Sequence, residues 1–239
     1  MIVHDVRQRS VEWDLLRLGR VTSSRSNDML AMKYPDALTP TGKPSKAKPT
    51  ELAGRRNLRA QLVLEILTGK SQERSFHQSQ AMQDGIDREA AALEKYEEMT
   101  GRLVRPVGFI SHDDLLAGWS PDGIIGDFVG AVEAKSPLPA THLEYLRTGK
   151  VPLDYYRQCL HALWLVPSLQ WIDWFSYQPD FVGRVESLQM KCVRIYRSDV
   201  EIGDYDGKVH GFLAEVDREI EALLTMTDLS DTLAAAVGA

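Results

Sequence analysis

The run Ser120-Pro121-Asp122-Gly123, followed ten residues after the glycine by Glu133-Ala134-Lys135, constrains this chain more than any other stretch. Pro-Asp-Gly marks a turn. Apolar residues on either side of Gly126-Asp127 read as two strands, Ile124 to Phe128 and Val129 to Ala134. Successive side chains of a strand alternate between faces, so Glu133 and Lys135 project together. The hairpin can bring Asp122 alongside them. Two neighbouring carboxylates repel each other, and a divalent cation removes that repulsion. Mg²⁺ prefers oxygen ligands and takes one or two carboxylates with waters and substrate phosphate. A lysine beside such a cation can orient or deprotonate a water. These groups suit phosphodiester hydrolysis. An ordinary surface hairpin with a salt bridge is the competing reading of the same residues.

The flanking segments supply helices. Val11 to Leu18 is a short one. Thr22, Ser23 and Ser24 offer N-caps for a second, Arg25 to Met32. Pro35 to Thr50 is a basic loop, either a solvated linker or a DNA-touching segment. Glu51 to Thr68 and Gln78 to Thr100 are long helices closed by Gly69 and Gly101. The first has a broad apolar face through Leu58, Leu62, Leu64, Glu65, Ile66 and Leu67. The period then shifts to two, with strands at Val104 to Ser111 and Leu115 to Trp119 ahead of the hairpin. Thr141 to Thr148 and Asp154 to Val166 are helical, Gln170 to Gln178 and Ser187 to Ile195 are strands, and Asp206 to Thr225 is a closing helix. The tail from Ala234 to Ala239 is expected to fray. This order predicts an α/β fold with a central mixed sheet flanked by helices. It predicts one domain over 1–239, with a helical part to about 102, a catalytic sheet core over about 103–200 and a C-terminal helix over about 204–226.

Composition removes several functions. A chain of 239 residues, 44% hydrophobic, can bury a sizeable core. It contains no apolar run long enough to span a membrane, and its first ten residues, with His4, Asp5, Arg7 and Arg9, do not read as a signal peptide. A cytoplasmic location is therefore expected. Cys159 and Cys192 read as buried free thiols in a reducing compartment, and two cysteines cannot build a four-cysteine zinc or iron–sulfur site. The net charge of −6 argues against a passive DNA coat but not against a nuclease, whose acidic centre can sit beside a local basic channel. No phosphate-cradling glycine loop and no Ser-His-Asp order is found.

The hairpin acids and lysine resemble the PD-(D/E)xK nuclease superfamily. The match narrows when three further stretches are added. One is Trp13-x-x-x-Arg17-Leu18-Gly19-x-Val21-Thr22-x-Ser24. The others are Gly85-x-x-x-Glu89 and, after Lys135, Tyr155, Gln158 and Trp164. In this order the chain resembles the phage lambda exonuclease family, also called the YqaJ-type viral recombinases, from about Trp13 to Trp164.

The resemblance implies a restriction-endonuclease-like core and a 5′→3′ exonuclease. Such an enzyme degrades one strand of duplex DNA from a 5′-phosphorylated end to mononucleotides, using Mg²⁺ or Mn²⁺. The 3′ overhang left behind serves a single-strand annealing protein, and members form a ring-shaped homotrimer. Asp122, Glu133 and the backbone carbonyl of Ala134 are implied metal ligands. Glu89 is implied at a second metal, against the reading of one surface acid among several. Lys135 would activate the water, and Gln158 would hydrogen-bond nearby or be a helix-surface residue. Arg17 would grip the 5′ phosphate bidentately, with Thr22 and Ser24 adding donors at a helix N-terminus that they also cap. Met82 falls at the apolar wedge that parts the strands, or fills core. Asp84 stands where the family has an aromatic residue, and Leu160 where it has a second glutamine. An endonuclease of restriction or repair type, and a non-catalytic DNA-end-binding module, are the alternatives.

Overall fold

The computed structural model describes residues 1–36, 47–72 and 80–237, the side chains of 80–87 and 227–237 excepted. The chain opens with a strand, β1 (Ile2–His4), before helix α1 (Val11–Arg17). Ser10 caps α1 by accepting a hydrogen bond from the Trp13 amide. Strand β2 (Val21–Thr22), a 3₁₀ turn (Ser23–Arg25) and the four-residue helix α2 (Ser26–Met29) follow, then the short pair β3 (Met32–Lys33) and β4 (Thr50–Glu51). The long helices α3 (Ala53–Thr68) and α4 (Gln80–Thr100) precede β5 (Val104–Arg105), β6 (Phe109–Ser111), β7 (Ala117–Trp119), β8 (Gly123–Ile125) and β9 (Gly130–Lys135). Helices α5 (Pro139–Thr148) and α6 (Leu153–Leu165), strands β10 (Trp171–Tyr177) and β11 (Met190–Tyr196), and helix α7 (Ile202–Val237) complete the order.

The strands make two larger sheets instead of one. The five-stranded sheet runs β11-β10-β9-β8-β5 and is mixed, with β9 and β10 parallel and the other pairs antiparallel. The second sheet runs β1-β6-β7-β2. The expected single strand from Val104 to Ser111 is thus broken at Pro106–Gly108, and its halves join different sheets. Proline cannot donate to a ladder, and Gly108 is pressed on the Val6 carbonyl, which an added Cβ would meet at 1.9 Å. The first hundred residues are accordingly not purely helical, since β1 and β2 form both edges of the second sheet.

Helix α4 lies on one face of the five-stranded sheet, where Ala92 and Tyr96 pack with Ile125, Val132, Ala134 and Phe175. Helices α3, α6 and α7 cover the other face, where Ala131, Ile124 and Ile172 join Leu58, Leu62, Leu163, Phe212 and Val216. The apolar face of α3 is narrower than its sequence suggests. Leu64 and Leu67 are exposed, whereas Glu65 is buried in an ion pair with Arg25, whose guanidinium nitrogen lies 2.9 Å away. Helix α7 starts before Asp206 and runs past Thr225 into the expected frayed tail. Leu223 and Leu224, apolar residues near the end of the expected helix, are exposed.

Candidate active site

Gly123 pairs with Val132 across the β8–β9 hairpin, which sets Asp122 beside Glu133. The glycine serves close packing here: a Cβ on Gly123 would meet Val104 at 2.0 Å. The Asp122 Oδ2 accepts a hydrogen bond from the Ala134 amide at 2.8 Å, which holds the aspartate against β9. Glu133 and Lys135 share a face as alternation requires. Lys135 Nζ lies 2.6 Å from Glu133 Oε1 and 3.5 Å from Asp122 Oδ2. Glu133 is only 5% exposed. The salt bridge of the competing reading therefore exists, but it is buried, and it sets two carboxylates on one ammonium.

That imbalance shows in the protonation of the groups. Burial and the Asp122 charge push the Glu133 carboxyl up to about 7 in spite of Lys135. Burial alone would lower the Lys135 ammonium, but Asp122 and Glu133 together hold it above its usual range. Glu89, one turn before Ala92 on α4, is raised by burial and by Asp122, against the pull of Arg9. All three predicted acids thus feel one another. Among the described residues, no three His, Cys, Asp or Glu side chains converge into a ready-made metal cluster. The donor set nevertheless fits Mg²⁺ or Mn²⁺, which need few protein carboxylates. Asp122 and Glu133 are hard oxygen donors one positive charge short of neutrality.

Helix α6 closes the lysine side. The Tyr155 ring lies under Lys135 Nζ at 5.5 Å and stacks on Trp174, which pairs with Glu133 across β9 and β10. Gln158 follows one turn later and is half-buried; it makes no hydrogen bond to Lys135 among the described residues. Arg17 reaches the site through aromatic contact. Its guanidinium lies 4.2 Å from the Trp13 ring centre, and the Trp13 indole N–H donates to Ser120 Oγ at 2.8 Å, two residues before Asp122. Thr22 is fully buried and hydrogen-bonds Ser24, which is exposed. The helix expected behind them over Arg25 to Met32 is only the 3₁₀ turn and α2, and Met32 is already in β3. No side chain caps it, so the expected capping by Thr22 to Ser24 is absent. The side chains of Met82 and Asp84, and most of the basic loop, lie outside the described residues.

The N-terminal arm joins the site without notice in the sequence. Gln8 donates to the carbonyls of Val107 at 3.0 Å and Pro121 at 2.8 Å, which pins the turn that carries Asp122. Arg9 pairs with Glu89 at 3.2 Å. A glutamine and an arginine in a polar leader carry no local signal, because their partners lie 80 or more residues away.

Comparison with known proteins starts from residues 12–166, which match the YqaJ-like viral recombinase domain over well more than half of the chain. The chain belongs to the YqaJ-like viral recombinase family. This YqaJ-family chain is similar in structure to an alkaline exonuclease, LHK-Exo, from Laribacter hongkongensis. Identity is 34% and the TM-score 0.74, covering 92% of this chain and 98% of that one. The same enzyme in complex with dAMP matches at 35% identity and TM-score 0.74, with the same coverage, 92% and 98%. A phage-related exonuclease from Haemophilus somnus shares the fold at 11% identity and TM-score 0.57, covering 87% and 96% of the two chains. No curated protein matches the YqaJ-family chain. No described helix is long and apolar enough to cross a membrane.

Proposed function

We propose that this chain is a divalent-cation-dependent 5′→3′ exonuclease that degrades one strand of duplex DNA from a 5′-phosphorylated end. Family membership and the alkaline exonuclease relative support a recombination-related nuclease. The observation that carries the finer reading is the buried pair Asp122 and Glu133 sharing Lys135 Nζ. Asp122, Glu133 and the Ala134 carbonyl hold Mg²⁺ or Mn²⁺, with Glu89 at a second position. When bound, the cation supplies charge stabilisation at the scissile phosphate. Lys135 Nζ positions the attacking water, and Tyr155 beneath it and Gln158 one turn on complete that wall.

Arg17, levelled on Trp13, takes the 5′ phosphate with its planar fork. Ser24 adds a hydroxyl, which the buried Thr22 orients. With the terminal phosphate fixed, the next phosphodiester lies at the acids, so mononucleotides are released one at a time. The long 3′ overhang suits a single-strand annealing partner, and a homotrimeric ring around the duplex would keep the enzyme on its substrate. Met82 remains the candidate wedge.

Incubating the purified chain with end-labelled linear duplex, with a 5′-phosphate or a 5′-hydroxyl, and with closed circular DNA tests this. Mononucleotides from the linear 5′-phosphorylated duplex, an intact circle and complete inhibition by chelator are expected. Cutting of the circle would replace the reading by the endonuclease one. Tight end binding without turnover in Mg²⁺ or Mn²⁺ would replace it by the silent module.

A further inference from the structure

Arg9 is conformationally out of place. Its backbone is left-handed, with φ of +67°, and among the described residues only Phe128 shares this without being glycine. The Ser10 amide donates to the Arg7 carbonyl at 3.1 Å, closing the turn that swings the arm from β1 into α1. Glycine would make that turn without the steric cost that an L side chain incurs. The side chain must therefore repay its place. Its ion pair with Glu89 does not suffice, since the Arg9 side chain is 45% exposed and pairs this accessible contribute little stability. Strain that the resting contacts do not explain gathers where a chain meets its ligand.

The surroundings identify that ligand. The arm borders a cavity of about 480 Å³ lined by Arg7, Gln8, Glu89, Pro121 and Asp122. Its lining holds the carboxylates of Asp5, Glu89 and Asp122 with Arg7, and Arg9 stands at its edge through the pair with Glu89. A nucleic-acid strand that brings its phosphates to the acids needs fixed positive charge beside them. Arg9 stands there with a fork that fits phosphate oxygens. We infer that Arg9 is a DNA-phosphate contact of the active site, resting on Glu89 until the strand to be cut presents a backbone phosphate at the cavity. The inference rests on the nuclease reading. The contact is exchanged, not created: the guanidinium leaves one oxygen anion for another, and Glu89 is released.

The test measures binding of the full-length chain to a fluorescent duplex in chelator over a salt series, alongside cleavage of the same duplex in Mg²⁺. Each phosphate neutralised contributes about 0.9 to the slope of log K against log salt. Arg9→Gly, which suits the left-handed backbone, should weaken binding several-fold and reduce the slope by about 1. Arg9→Gln, which keeps the side-chain length, should do the same, so one variant's folding defect does not decide the result. Arg9→Lys should keep the slope. A purely structural Arg9 lowers the melting temperature and leaves the slope unchanged. If wild type cuts DNA and both neutral variants keep its slope, the inference is wrong while the nuclease reading stands. If wild type neither binds nor cuts, the nuclease reading fails and takes the inference with it.

Discussion

Two buried ion-pair clusters sit on opposite faces of the central sheet, and they are completed differently. On β10, Asp173 is matched one to one. Arg194 grips both of its oxygens at 2.8 Å, and the Tyr96 hydroxyl donates to it at 2.6 Å. Arg194 in turn lies 3.8 Å over the Trp171 ring. On β9, in register with the next position, Glu133 shares a single lysine with Asp122. Both clusters are ion pairs by any distance criterion. One is closed by the chain's own groups and holds the sheet together. The other sets two carboxylates on one ammonium, which is where the proposed cation would bind.

Breaking the two clusters should therefore give opposite phenotypes. The largest effect is expected from Asp122→Ala. Cleavage should fall below detection in a gel assay, while melting temperature and DNA-end binding stay close to wild type, since the mutation relieves carboxylate repulsion. Appreciable turnover by that variant would remove the distinction between the clusters. Lys135→Ala should slow single-turnover cleavage by about 10²–10⁴-fold, the usual worth of a group that positions or activates the nucleophile. A near wild-type rate would make Lys135 a salt-bridge partner, like Arg194.

Asp173→Ala inverts the pattern. It strands Arg194 and Tyr96, and chemical denaturation should report a loss of about 3 kcal/mol. Cleavage per folded molecule should be little changed. The smallest effect concerns specificity. A terminal phosphate monoester carries up to about two negative charges against one for a diester. Arg17→Ala should therefore erase the preference for 5′-phosphorylated over 5′-hydroxyl ends, read as the ratio of initial rates. If the preference persists, Arg17 does not read the end.

The sequence disclosed the acid–lysine cluster because its signals are local. A Pro-Asp-Gly turn, a period of two and a Glu-x-Lys pair suffice to put three side chains together. The helices α3 to α6 were legible for the same reason. What stayed hidden depends on distant partners. Ile2 pairs with Ser111, so the second sheet has no signature within either segment. Glu65 counts as part of an apolar stripe until Arg25 is seen against it. Gln8 and Arg9 are unremarkable polar residues until folding brings Pro121 and Glu89 to them. The reading of Thr22 to Ser24 as caps failed because β2 and a 3₁₀ turn took the residues a longer helix needed.

The charge shortage at Asp122 and Glu133 is tested most directly by melting the protein with and without Mn²⁺, with no DNA present. A ligand at about 100 times its dissociation constant stabilises the folded state by about 2.7 kcal/mol. Wild type and Asp173→Asn should both melt at higher temperature in saturating Mn²⁺, and Asp122→Ala should lose that rise. An equal rise in Asp122→Ala, or none in wild type, would contradict the account.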